Sequence, residues 1–162
     1  MDVFAHLLWT WIVFADTKYV LLTMFFGVMP DLVSFGYFVP RMYLNGTHKQ
    51  FRKAKTEKEI AKLNHLFPSW VMVLYNATHS LVVFSFVFSV VWLVMGWFPY
   101  PLLGWLVHIL VDIPTHRKAF FPTKIFYPFS DWCVDGIYWG RAWFMILNYG
   151  LIIVGLVWRL FF

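Results

Sequence analysis

His108, Asp112 and His116 recur at offsets of four and eight within residues 104–118, GWLVHILVDIPTHRK. On a helix that spacing stacks the three side chains on one face. Imidazole nitrogens and carboxylate oxygens are ligands for hard and borderline divalent metals. Their neighbours are Leu, Val, Ile and Trp, so these ionisable groups lie in an apolar stretch, where they are costly and usually functional. The pattern points to a metal site. The alternative is a metal-free polar network between helices.

The elements that position such a site have to suit a bilayer. The chain is 61% hydrophobic, against roughly 45–50% apolar in soluble domains, and its mean hydropathy is +0.68. We therefore expect a single all-α membrane domain over residues 1–162. It reads as a polytopic helical bundle with an N-terminal short-helix hairpin, two or three full spans and interfacial helices. The net charge is +5, but seven of the thirteen Lys and Arg lie between Arg41 and Lys62. That local density excludes a nucleic-acid surface and fits a loop held at an anionic cytoplasmic leaflet. The single cysteine, Cys133, rules out an intrachain disulfide and a Cys-rich metal site.

Residues 3–15 and 19–29 are apolar but short, thirteen helical residues rising about 20 Å against a hydrocarbon core of about 30 Å. Asp16-Thr17-Lys18 separates them and Pro30-Asp31 ends the second. They form either a re-entrant hairpin or two thin, tilted spans, and both arrangements put residues near 6 and 31 on one side of the membrane. Residues 41–66 read as a basic amphipathic segment on the cytoplasmic leaflet, serving topology and lipid contact or recruiting a soluble partner. Residues 69–98 read as a full span and carry Asn76, Thr78, His79 and Ser80 in their first third. Pro99-Tyr100-Pro101 turns the chain into 102–116, where Pro114 ends or kinks the helix. Residues 117–137, broken by Pro122 and Pro128, read as an aromatic-rich cytoplasmic loop. Residues 138–161 form the last span. Basic loops at 41–62 and 117–124, with Arg141, face the cytoplasm, and Arg159 is the exception.

Helical rise places His79 level with His108 and Asp112. The hairpin adds His6 and Asp31, so His6, Asp31, His79, His108, Asp112 and His116 gather. They suffice for one ion with the remaining groups around it, or for two ions sharing a carboxylate. Zn²⁺ suits the donors best, and Mn²⁺ or Fe²⁺ also fit. Asp31 also suits a helix cap, and His48 and His65 read as solvated. Asp131 and Asp135 are loop acids.

Four motifs stand in order: Ala5-His6-Leu7-Leu8, Met29-Pro30-Asp31, Thr78-His79-Ser80-Leu81 and His108-Ile109-Leu110-Val111-Asp112. Over roughly residues 1–120 the chain resembles a bacterial and archaeal family of membrane-bound proteins described as metal-dependent hydrolases. That family is also described as inner-membrane proteins associated with the repressor of the DNA-damage response, and it is distantly similar to zinc-dependent phospholipase C. Its pattern of G-H, P-D-x-D-H, T-H-S and H-x-x-x-D falls on His6, Asp31, His79, and His108 with Asp112. This chain departs from it at Ala5, and at Leu32-Val33-Ser34, where the second Asp and the His of the second motif are missing. His116 is our substitute for the lost ligand. The resemblance implies a hydrolase in a prokaryotic cytoplasmic membrane.

The expected chemistry is metal-assisted hydrolysis at the cytoplasmic leaflet, with Asp31 or Asp131 as general base. A lipid phosphoester or ester suits the depth of the site, and Arg117, Lys118 and Arg141 suit a phosphate. The competing expectation is a non-catalytic protein whose divalent ion is structural or in transit.

Overall fold

The computed structural model describes residues 1–54 and 56–161. Among them lie nine α-helices, two 3₁₀ turns and no strand. The chain is an all-α bundle, as its hydropathy pattern requires.

Helix α1 (Val3–Phe14) begins at Asp2, whose carboxylate accepts the Ala5 N–H at 3.0 Å. It turns back into α2 (Val20–Phe35), so the N-terminal hairpin forms. The expected stop at Pro30 does not occur. Proline removes one backbone donor, yet the helix continues through it, and the Pro30 carbonyl is approached by Ser34 Oγ at 2.8 Å and by the Thr78 hydroxyl at 3.4 Å. The basic segment is not one amphipathic helix. It divides into α3 (Phe38–Leu44), α4 (His48–Lys53), α5 (Glu57–Lys62) and a 3₁₀ turn (Leu63–Leu66).

The expected span over 69–98 is also two helices, α6 (Ser69–Thr78) and α7 (Leu81–Met95), bent by 62°. Ser80 makes the break. Its hydroxyl caps α7 by accepting from Val82 and Val83 at 3.1 and 3.3 Å and donates to the Tyr127 carbonyl at 2.6 Å. Trp105 Nε1–H, from the next helix, donates to the Thr78 carbonyl that the break leaves open. After a 3₁₀ turn, α8 (Leu103–Thr115) returns through the bundle. Its last carbonyls are met by the 136–139 segment: Ile137 N–H bonds Pro114 O and Trp139 N–H bonds Thr115 O. Residues 117–137 are a loop, as expected, and α9 (Ala142–Phe161) closes the chain.

Helix α2 is the centre, packed against α1, α6 and α8, while α9 rests on α1. Two glycines allow that density. A Cβ on Gly104 would stand 2.0 Å from the Thr23 carbonyl oxygen, and one on Gly27 would stand 2.2 Å from Thr10 Oγ1. Helices α1 and α9 run parallel, tied by Tyr149 to Asp2, Trp9 to Asn148 and Arg159 to Asp16. Among the described residues, only α9 is by itself long and apolar enough to cross a membrane. The bent pairs α2–α3 and α6–α7 pass the same test when each is taken together.

Candidate metal centre

Four helices deliver the six ligand-type groups to one place. His6 comes from α1, Asp31 from α2 and His79 from the residue that ends α6. His108 and Asp112 project from α8, and His116 follows its last turn. All six are buried, with His79, His108 and Asp112 fully out of solvent.

The tightest part is a triangle. His79 Nε2 and His108 Nε2 lie 3.0 Å apart, and each is 3.3 Å from Asp112 Oδ2. Donor atoms around a tetrahedral zinc at 2.0–2.1 Å stand about 3.3 Å from one another. Asp31 Oδ1 lies at the open edge of the triangle, 3.7 Å from His79 Nε2 and 4.0 Å from His108 Nε2.

The far side of each ring fixes its tautomer. His79 Nδ1 lies 2.8 Å from the Tyr75 carbonyl and His108 Nδ1 lies 2.7 Å from the Gly27 carbonyl. His116 Nδ1 lies 2.8 Å from the Phe121 carbonyl. A carbonyl oxygen only accepts, so each Nδ1 carries the hydrogen and each ring turns its Nε2 inward. Two Nε2 atoms facing each other at 3.0 Å beside a carboxylate share either a proton or a metal cation. Ring orientation by a carbonyl is also how metal-binding histidines are held.

Asp112 Oδ1 faces a second group. His6 Nε2 stands 3.1 Å away, His116 Nε2 3.3 Å and the Met1 amino nitrogen 2.5 Å. His6 stacks on His108 with ring centroids 3.7 Å apart. Both His6 ring nitrogens and Asp112 Oδ2 are buried without a hydrogen-bond partner, which is costly unless a cation satisfies them. Two buried ligand groups capable of holding a metal ion therefore exist, His6–His108–Asp112 and Asp31–His79–His108, with His108 in common.

Tyr75 completes the wall. Its ring stacks on His79, and its hydroxyl donates to the Phe121 carbonyl at 2.8 Å beside His116 Nδ1. Phe121 reaches this position with φ of 50°, a conformation that costs a bulky residue of order 1 kcal/mol or more.

The other expected site residues lie elsewhere. Asp131 is on the surface, 84% exposed and 2.7 Å from Lys124 Nζ, apart from the buried cluster. Lys118 engages Asp135 through its backbone N–H, and its side chain is exposed. Arg117 and Arg141 do meet, but on the carboxylate of Glu57. His48 stacks on Tyr43 and His65 bonds near Lys62, away from the centre. Tyr75, the Gly27 and Phe121 carbonyls and Glu57 had not been expected. Backbone carbonyls leave no mark in a residue pattern, whereas Tyr75 sits one helical turn before His79, a spacing that was readable. No protein-family model, curated protein or solved structure matches this chain.

Proposed function

We propose that the chain is a multi-pass protein of a prokaryotic cytoplasmic membrane, and that His79, His108 and Asp112 hold one divalent ion, with Asp31 at its edge, for hydrolysis of a lipid phosphoester or ester. The observation that carries the reading is the triangle of inward donor atoms, its two histidines each braced from behind by a backbone carbonyl. Zinc is the first candidate because two imidazoles and a carboxylate leave one position for water; manganese and iron accept the same donors. The chemistry such an ion supplies is acidification of water and polarisation of a phosphoryl or acyl oxygen.

The chain's own groups do the rest. Asp112 turns Oδ2 toward His79 and His108 and Oδ1 toward His6 and His116. Tyr75 and the Phe121 carbonyl hold His116 upright. Asp31 is the least enclosed member and stands off the triangle, so it is placed to hold a water and accept its proton. Membrane embedding is supported by the apolar outer surface, where Leu21, Leu93, Val94, Ile146 and Leu160 are largely exposed. The basic 41–62 stretch orients that end toward the cytoplasm. The resemblance to membrane-bound hydrolases points the same way.

A second reading is favoured by the complete burial of the triangle: the ion is structural and ties the short helices together. Elemental analysis of protein purified in detergent is expected to give one zinc per chain, lost in D112N. The variant D31N is expected to keep the metal while metal-dependent cleavage of phospholipid substrates disappears. A folded, metal-free wild-type protein overturns both readings. Metal retention with no cleavage in either wild type or D31N selects the structural one.

A further inference from the structure

Outside the metal cluster, the structure brings two arginines from distant parts of the loop region onto one carboxylate. Glu57, at the start of α5, accepts from Arg117 at 3.3 Å on one oxygen and from Arg141 on the other. Asp135 pairs with Arg117 as well, at 3.1 Å. The Arg141 hydrogen bond is the main reason the Glu57 carboxyl is held below its usual range.

Beside this pairing lie two adjoining cavities of about 400 and 660 Å³. They share Glu57, Lys58, Ile60 and Tyr138; Lys62 and Arg117 line the first, and Arg141 lines the second. Four cations therefore line these cavities around Glu57, with Asp135 on the far side of Arg117, over an apolar floor. Cavities of this size take small ligands. A carboxylate offers two oxygens and one charge. A phosphate monoester offers three oxygens and nearly two charges, and guanidinium groups bind it through paired hydrogen bonds.

We propose that Glu57 is a resident stand-in for a phosphate group, and that a phosphomonoester anion displaces it to bind Arg117 and Arg141, with Lys58 and Lys62 beside it. The displaced pairs are partly exposed, and such pairs contribute little to stability, so the exchange is open to a stronger anion. The site stands apart from the metal reading. His116 and Arg117 are consecutive, but His116 has an extended backbone, with φ −113° and ψ 143°. On such a backbone neighbouring side chains take opposite sides: His116 faces the metal cluster and Arg117 faces the cavity.

The test uses the detergent-purified full chain as wild type, E57Q and R117Q/R141Q. Inorganic phosphate and a short-chain phosphatidate are titrated calorimetrically, with short-chain phosphatidylcholine as the zwitterionic control. E57Q removes the competing charge and is expected to tighten binding roughly fivefold, the factor equivalent to one surface ion pair. R117Q/R141Q is expected to weaken it at least about tenfold. Either probe showing both dependences bears out the site, and the tighter probe says whether a lipid headgroup or the free anion is its ligand. Equal affinity in wild type and E57Q, or full affinity in R117Q/R141Q, overturns it. Metal content, read on the same samples, is expected to be unchanged in all three, so failure of the metal centre shows separately.

Discussion

Gly104→Ala tests whether helix packing sets the metal centre. The new Cβ would lie 2.0 Å from the Thr23 carbonyl oxygen and 3.0 Å from Gly27 N, both backbone atoms with no side-chain freedom to yield. Ordinary contact begins at 3.4 Å, so α8 must back away from α2 by about 1.4 Å, or strain by an amount typical of overpacking, about 1–3 kcal/mol. His108 lies one turn further along α8, and its Nδ1 is 2.7 Å from the Gly27 carbonyl. The same retreat stretches that contact to about 4 Å, beyond hydrogen-bond reach. The ring then loses the bond that selects its tautomer and aim, which typically lowers metal affinity about 10- to 100-fold. The assay is zinc competition against a chromogenic chelator in detergent, with thermal unfolding measured in parallel. Gly150 in α9 is the control, because a Cβ there meets nothing within 4 Å, and G150A is expected to leave metal affinity unchanged. A G104A protein with wild-type affinity and melting temperature refutes the claim that this helix contact positions His108.

Trp105→Phe removes the donor that satisfies the Thr78 carbonyl at the α6–α7 break; a loss of about 1–3 kcal/mol is expected in denaturant unfolding, the cost of an orphaned buried acceptor. His6→Ala is expected to keep one zinc per chain, because the triangle does not include His6, whereas two zincs in wild type falling to one in H6A would mean that Asp112 bridges two ions through its separate oxygens. The Glu57 strap has a definite pH sense. Its carboxyl is held below the usual 4.5, chiefly by the Arg141 hydrogen bond, so its contribution is present above pH 4.5 and is lost as pH falls through the lowered value. Hydrogen exchange of residues 56–62 is expected to speed up over that acid range in wild type and to be fast and pH-independent, after correction for intrinsic rates, in E57Q.

The parts of this architecture that were legible in the sequence are those written in side-chain type and period. His108 and Asp112 announce a helix face because 3.6-residue periodicity is a property of the chain itself; His116, expected on the same face, instead follows the helix on extended backbone and still reaches Asp112. The hairpin reading brought His6 and Asp31 to them because Asp16-Thr17-Lys18 cannot continue an apolar helix through lipid. The unbroken span over 69–98 was not legible as two helices. Ser80 looks like any small polar residue until the carbonyls of Ile125 and Tyr127, some 45 residues away, give its hydroxyl and the Leu81 N–H somewhere to go. Pro30 failed as a stop because it costs α2 a single donor, while α1, α6 and α8 pack along that helix.

These two failures have a common consequence for the site. The break after His79 frees that ring from the regular path of α6, while continuation past Pro30 carries Asp31 inside α2 rather than into a loop. Had α6 run straight, His79 would have pointed along its own helix face instead of across to His108. Had α2 stopped at Pro30, Asp31 would have been solvated. Both irregularities lie next to the residues that make the Nε2–Nε2 separation of 3.0 Å, and their part in it can be tested. A straightening substitution, Ser80→Ala, removes both the α7 cap and the anchor to Tyr127. It is expected to lower zinc affinity in the chelator assay although Ser80 offers the ion no ligand. Unchanged affinity in a folded S80A protein, with the bend retained by spin-label distances across 70–90, would assign the geometry to packing by Trp105 and Ile125 rather than to the serine.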